Sequence, residues 1–354
     1  MKTLFDSFER VNNNFAKYIT PQFRFLNESA QKKSTNIRKI LDNWFSFYPK
    51  SNSREFTKRF RSVNNDDHKS AFFELFIFTL FRNLGSKIEV HPSLDNRKKT
   101  KPDFKVKLNS IEFIVECCLS GDPNIDEKIQ SHINNICDKL NSFKSEYHFF
   151  VDFIKSNKNS PSDGKLLRFI QSKIKLLNNE IVTEKDDIKW SFESNGWKIE
   201  IKLVSKPKEF NLARNVGLFK NSPLLIDSKK KIIHAIKNKT PAKYGNFKLP
   251  YIIAVNSQDI FLNFDEFEEI LFNQKNNLFI RNNEIINKRI SGLLFCEGIN
   301  PLNYNKAKFR LLINPWAIYP ISQEIIPIDE SRYLTNGLEI KKRIDIIKER
   351  NYFN

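Results

Sequence analysis

The chain has 354 residues, 40% of them hydrophobic, enough to bury a substantial core and too many for a disordered chain. Lys and Arg number 59 against 41 Asp and Glu, a formal charge of +18. That excess is the footprint of a protein that meets a polyanion such as nucleic acid, although an AT-rich coding sequence would also produce this mixture of Lys, Asn, Ile and Phe.

Several classes are excluded. No window approaches 18 uncharged apolar residues, so no membrane span is expected. The nine glycines form no GxGxxG or Walker-type loop, and there is no GxSxG elbow. The opening "MKTLFDSFERVNNNFAKY" mixes charges with apolar residues and lacks the apolar stretch and cleavage site of a signal peptide, which predicts a cytoplasmic protein. Cys117, Cys118, Cys137 and Cys296 lack the paired spacing of a structural zinc site and read as reduced core residues.

In chain order, residues 1–62 alternate helical patches such as "TNIRKILDNWFSFY" with Asn- and Ser-rich breaks, and read as a helical N-terminal extension. Its basic stretch "KSNSREFTKRFRSV" could touch phosphate or form a solvated helix face. "NNDDHKSAFFELFIFTLFRNLGS" predicts a helix capped by Asp66 or Asp67 and stopped at Gly85. It is apolar nearly all round, so it belongs in a core, and Glu74 inside it requires a partner.

Three strands follow: "KIEVHP" (87–92), "DFKVKL" (103–108) and "IEFIVECCL" (111–119), the last two joined at Asn109-Ser110. Ile125, Ile129, Ile133, Ile136 and Leu140 recur at helical spacing over 124–143, and "YHFFVDFI" (147–154) reads as a buried strand. A helix between two strands predicts that 111–119 and 147–154 lie parallel. Beyond them come a helix at "KLLRFIQSKIKLLNN", a hairpin at Asn195-Gly196, the basic helix "SKKKIIHAIKNK" and the buried strand "LPYIIAVN". A short helix at "DEFEEILF" and strands in "SGLLFCEG" and "AKFRLLINPWA" complete the pattern. The expected organisation is one α/β domain over 63–320 after the 1–62 extension, with 321–354 as a C-terminal tail or helix.

Chemistry concentrates in three carboxylates: Glu74 on the apolar helix, Asp103 opening the second strand and Glu116 near the end of the third. Adjacent antiparallel strands bring Asp103 and Glu116 together, and a helix packed on the sheet can add Glu74. Carboxylates so gathered repel, and a hard divalent cation such as Mg²⁺ reconciles them.

The order of these elements, with "AFFELF", "KPDF" and Glu116 thirteen residues after Asp103, resembles the PD-(D/E)xK, or restriction-endonuclease-like, superfamily of nucleases over about residues 67–155. The resemblance implies a core of helix, three strands, helix and strand with further C-terminal α/β elements. It also implies Asp103 and Glu116 as ligands of Mg²⁺ or Mn²⁺, Glu74 as a further ligand or water-positioning acid, and Gln130 as a polar residue facing the site.

One position departs from the pattern: where the signature places Lys, this chain has Cys118. A neutral thiol cannot supply the missing positive charge. Candidates for a migrated cation are Lys101, Lys128, Lys239 and Lys243. The last two are favoured because their segment ends a basic helix and feeds a buried strand. His91 before Pro92 suits either a proton shuttle or a structural histidine, and the other histidines show no zinc-ligand spacing.

Together these imply a divalent-metal-dependent endonuclease acting on DNA in a bacterial restriction or phage-defence setting, as a homodimer or with another defence-system subunit. The alternative is a catalytically inactive nucleic-acid-binding module that keeps the nuclease fold.

Overall fold

In a computed structural model the described residues are 3–95, 98–120, 127–177, 181–183, 186, 188–206, 215–218, 228–257, 262–272, 277–282, 284–321, 329–334 and 337–341. Helices α1 (Gln22–Glu28), α2 (Lys32–Ser46), α3 (Ser53–Phe60) and α4 (Asn65–Asn83) come first, then strands β1 (Lys87–Val90), β2 (Phe104–Leu108) and β3 (Ile111–Ser120). Next are α5 (Glu127–Ser142), β4 (Tyr147–Lys155), α6 (Asp163–Leu176), β5 (Lys189–Ser194), β6 (Trp197–Ser205), β7 (Val216–Leu218) and α7 (Ser228–Lys237). The chain continues through β8 (Tyr251–Ser257), α8 (Phe264–Phe272), β9 (Ile280–Arg281), β10 (Glu284–Ile285), β11 (Gly292–Cys296), β12 (Phe309–Ile313), β13 (Asp329–Leu334) and β14 (Gly337–Lys341).

These elements form two compact units. The first comprises Met1–Asn13, Pro21–Gly121 and Ser228–Asn354; the second comprises Asn14–Thr20 and Asp122–Asp227. The span 63–320, expected as one domain, therefore contains a unit of its own. No composition shift marks its edges, which is why the sequence does not announce it.

The first unit is built on an eight-stranded mixed sheet in the order β1-β2-β3-β8-β11-β12-β13-β14. Antiparallel pairing joins β1 to β2 and β2 to β3, and β3 runs parallel to β8. The expected parallel partner of β3 was the strand at 147–154, and this is a correction: that segment is β4, which pairs with β6 and β7 in the second unit. Burial explains the choice. A strand beside β3 must be apolar on both faces, and β8 is buried at every position, whereas β4 alternates buried with partly exposed residues.

Two apolar clusters cover the sheet. On one face Phe113, Val115 and Cys117 of β3 join α4 and the N-terminal helices; on the other Ile114 and Cys118 join α7, α8 and β8. Residues 1–62 are thus more than an extension, since Phe23, Leu41, Trp44, Phe56 and Phe60 are buried in the same cluster as α4. The expected tail at 321–354 is also corrected, because it contributes strands β13 and β14 to the sheet. The one local signal was the dipeptide Asn336-Gly337 in the sequence, because the flanking "DESRYL" and "GLEIK" are poor in strand formers. Asn64, ahead of the two expected aspartates, caps α4 by accepting the Asp66 amide at 2.8 Å.

The second unit has the four-stranded sheet β5-β6-β4-β7, whose buried face packs on α5 and α6 through Ile136, Leu140, Leu166 and Ile170. Its β5–β6 hairpin turns at Asn195-Gly196, both at positive φ, as the dipeptide predicts.

His68 on α4 lies fully buried among Phe23 and Phe60, with Nδ1 2.6 Å from the Phe60 carbonyl and Nε2 without a partner among the described residues. Burial pushes this imidazole down to about 4. The unfolded chain therefore takes up a proton near pH 6.5 that the folded chain refuses until about pH 4, so stability falls with pH across that window. The contribution is roughly 3 kcal/mol. Chemical unfolding at pH 7 and pH 4.5 should show this loss in the wild type, and a markedly smaller one in His68→Gln.

Candidate active site

Strand β2 begins at Phe104, directly after Pro102-Asp103, and its antiparallel register with β3 sets Phe104 opposite Val115. Asp103 and Glu116 are neighbours for that reason. The Asp103 amide donates to Glu116 Oε2 at 3.2 Å, and the Cys117 amide donates to Asp103 Oδ2 at 2.6 Å. Burial first, then the Glu116 and Glu74 carboxylates, push the Asp103 carboxyl well above the usual range. Negative charge is thus crowded where β2 begins beside the middle of β3.

The opposing cation is Lys239, two residues past α7. Its Nζ lies 2.7 Å from Glu116 Oε1. The Glu116 side chain is 3% exposed and that of Lys239 36%, so the pair reaches from the interior to the surface. Glu116 and Asp103 hold the ammonium charged and outweigh the burial that opposes it. The backbone that presents Lys239 is fixed in turn, because the Tyr251 hydroxyl donates to the Lys239 carbonyl at 2.7 Å. The Tyr244 hydroxyl interacts with Glu116, and burial followed by that carboxylate pushes it up.

Side chains alternate along a strand, so Glu116 and Cys118 share one face of β3, the face that α7 covers. The Lys239 charge acts on the Cys118 thiol, which burial pushes up to about 12. Lys239, two residues past α7, therefore stands on the strand face that Cys118 shares. Both Cys117 and Cys118 are buried thiols, and Cys117 is pushed up by burial and by the three carboxylates.

Glu74 approaches from the opposite side, on α4. It is 2% exposed, and both its oxygens are engaged: Tyr48 donates to Oε1 at 2.5 Å, Arg59 Nη2 to Oε2 at 2.6 Å. His91 Nε2 is 3.9 Å from Oε1, and the His91 amide donates to the Asp103 carbonyl at 2.9 Å from a backbone at φ +50°. Glu74 acts on Asp103 through its charge while its own oxygens are committed to protein donors.

Lys243 Nζ donates to the Asn238 carbonyl, and Lys101 is exposed. Gln130 sits on α5 in the second unit, where it donates to Asn134 Oδ1 at 2.9 Å, and Lys128 is on the same helix. Tyr48, Arg59, Tyr244 and Tyr251 were missed. Arg59 falls in the stretch that sequence marks only as basic, and no local pattern links it to an acid fifteen residues on.

Among the described residues no group of three or more His, Cys, Asp or Glu is arranged to hold a metal, and no helix is long and apolar enough to cross a membrane. No family model matches the sequence, and no curated protein or solved structure is detectably similar to it.

Proposed function

We propose that the protein is a divalent-metal-dependent nuclease of the PD-(D/E)xK type, hydrolysing phosphodiester bonds in DNA, whose signature lysine has moved from β3 to the segment after α7. The observation that carries this reading is the 2.7 Å contact of Lys239 Nζ with Glu116 Oε1 on the strand face of Cys118.

Asp103 and Glu116 would hold Mg²⁺ or Mn²⁺. The fit rests on the two acids lying side by side, the Asp103 amide donating to Glu116 Oε2 and the Cys117 amide to Asp103 Oδ2, and two acids suffice because Mg²⁺ is commonly bound by one or two carboxylates with water and substrate phosphate filling the rest. When bound, such an ion neutralises phosphate charge and makes a coordinated water more acidic. Lys239, kept protonated by its acidic neighbours, serves as a hydrogen-bond donor and fixed positive charge toward phosphate oxygens, and cannot act as a base. Tyr251 and Tyr244 position this lysine and Glu116. Glu74, clamped by Tyr48 and Arg59, sets the local field without leaving its partners. A place in restriction or phage defence follows by analogy with the superfamily alone.

Supercoiled plasmid incubated with the purified protein should be nicked or linearised in Mg²⁺ or Mn²⁺ and remain intact in EDTA. The second reading, a silent nucleic-acid-binding module, is favoured by the thiol at position 118 and by the engagement of both Glu116 oxygens. It predicts no cutting under either metal, with DNA binding that salt weakens and EDTA leaves unchanged.

A further inference from the structure

We infer that Arg289 is a positioning residue: it clamps the turn after α7 so that Lys239 and Tyr244 meet Glu116. The inference deepens the nuclease reading, and only its effect on cleavage rests on that reading.

Residues 239–247 lead from α7 toward β8 with no regular structure beyond the 3₁₀ turn Pro241–Tyr244. Carbonyls in such a segment ordinarily turn to water, yet here side chains from other elements take them. The Tyr251 hydroxyl donates to the Lys239 carbonyl at 2.7 Å and the Thr100 hydroxyl to the Lys243 carbonyl at 2.5 Å. The Arg289 guanidinium donates to the Gly245 carbonyl at 3.3 Å and to the Phe247 carbonyl at 2.8 Å.

Gly245 is the pivot of the turn. Its φ of +88° and ψ of −158° belong to a region that glycine alone enters readily, and glycine is the residue least able to hold a conformation by itself. Contacts must therefore fix it. A Cβ on Gly245 would sit 2.5 Å from the Asp95 Cβ, so that side is closed, and Arg289 holds the carbonyl. A pivot at Gly245 would carry Tyr244 away from Glu116, and with it the turn that leads back to Lys239. A misplacement of about 1 Å at a reacting centre can cost about 10²-fold in rate.

Arg289 is built for this task. It stands on firm backbone, just ahead of buried Ile290 and of Ser291, whose amide donates to the Tyr251 carbonyl at 2.7 Å. The guanidinium carbon lies 4.6 Å from the Phe247 ring centroid. Among the described residues Arg289 has no carboxylate partner, so its charge is satisfied by the carbonyls and ring of this one turn.

The test compares wild type with Arg289→Met, which keeps the stem over Phe247 without the donors, and with Arg289→Lys, which can still reach one carbonyl. Each full chain is treated in EDTA with a limiting amine-acylating reagent, and modification of Lys239 relative to exposed Lys87 is read by peptide mass spectrometry. Lys239 should react about tenfold faster in Arg289→Met, the weight of one charge-assisted hydrogen bond, and by an intermediate factor in Arg289→Lys. Single-turnover cleavage of plasmid in Mg²⁺ should fall by about 10–10²-fold in Arg289→Met, with DNA affinity in EDTA unchanged. Unaltered Lys239 reactivity overturns the proposal, as does a loss of affinity that accounts for the loss of cleavage, which would make Arg289 a phosphate contact. If Arg289→Met does not fold, Arg289→Lys decides alone, and Lys239 reactivity equal to the wild type overturns the clamp. Variants that show the acylation difference while the wild type never cuts with metal would sink the nuclease reading and leave the clamp standing.

Discussion

Lys239→Gln should lower the rate of Mg²⁺-dependent DNA cleavage by about 10²–10³-fold, the usual cost of deleting one preorganised charge from a reacting centre. Asp103→Asn should cost at least as much, since it removes the carboxylate that stands beside Glu116 where β2 begins. Loss of activity alone would not separate chemistry from folding, because Lys239 also neutralises a carboxylate that is only 3% exposed. The deciding variant adds Cys118→Lys to Lys239→Gln. Positions 116 and 118 share a strand face, so a lysine at 118 offers Glu116 a cation from β3 itself. Recovery of a tenth or more of wild-type cleavage, measured by single-turnover gel assay, is expected. No recovery in a double variant that unfolds at the wild-type temperature would contradict the assignment of Lys239 to the lysine's role.

The second large effect concerns stability. Arg59→Ala strands the Glu74 carboxylate in the core, where Tyr48 remains its hydrogen-bonding partner and His91 stands 3.9 Å away. A buried charge that loses its partner costs about 3 kcal/mol or more, and urea unfolding should show the midpoint fall accordingly. Arg59→Ala with Glu74→Gln should lose less than Arg59→Ala alone, because no charge is then left behind. Tyr48→Phe removes one hydrogen bond to a charged acceptor and should cost about 2 kcal/mol. If the single and double variants lose the same amount, Glu74 does not carry its charge into the fold.

Local signals made much of this site legible. The apolar helix around Glu74, the Asn109-Ser110 turn and the alternation of β2 and β3 are short-range patterns, and each lies close to where the sequence predicts it. The pairing of Asp103 with Glu116 follows from the hairpin. What was illegible is long-range. Sequence patterns cannot tell which of two apolar strands will sit beside β3, and the choice turned on burial of both faces of Tyr251–Ser257 against one face of Tyr147–Lys155. The same limit hid Arg59 and Tyr48, whose importance depends on α2 and α3 packing onto α4. Lys239 stood among the candidates for a physical reason, its place between a basic helix and an apolar strand, while Lys243, equally close in sequence, turns away to the Asn238 carbonyl.

Glu116 and Lys239 meet across 123 residues of chain, and the interval includes Asp122–Asp227, the larger part of the second compact unit. During synthesis at about 5–20 residues per second, roughly 6 to 25 seconds separate the emergence of the acid from that of its lysine. Throughout that delay β3 lacks the neighbour β8, leaving an apolar edge open to chance pairing, and the paired acids have no ammonium beside them. The nascent chain therefore passes through a stage in which the intervening unit can already be folded while the part of the sheet that carries Glu116 is unfinished. A ribosome-bound fragment ending before Tyr251 therefore presents β3 without its β8 partner, the kind of unpaired apolar edge that favours aggregation.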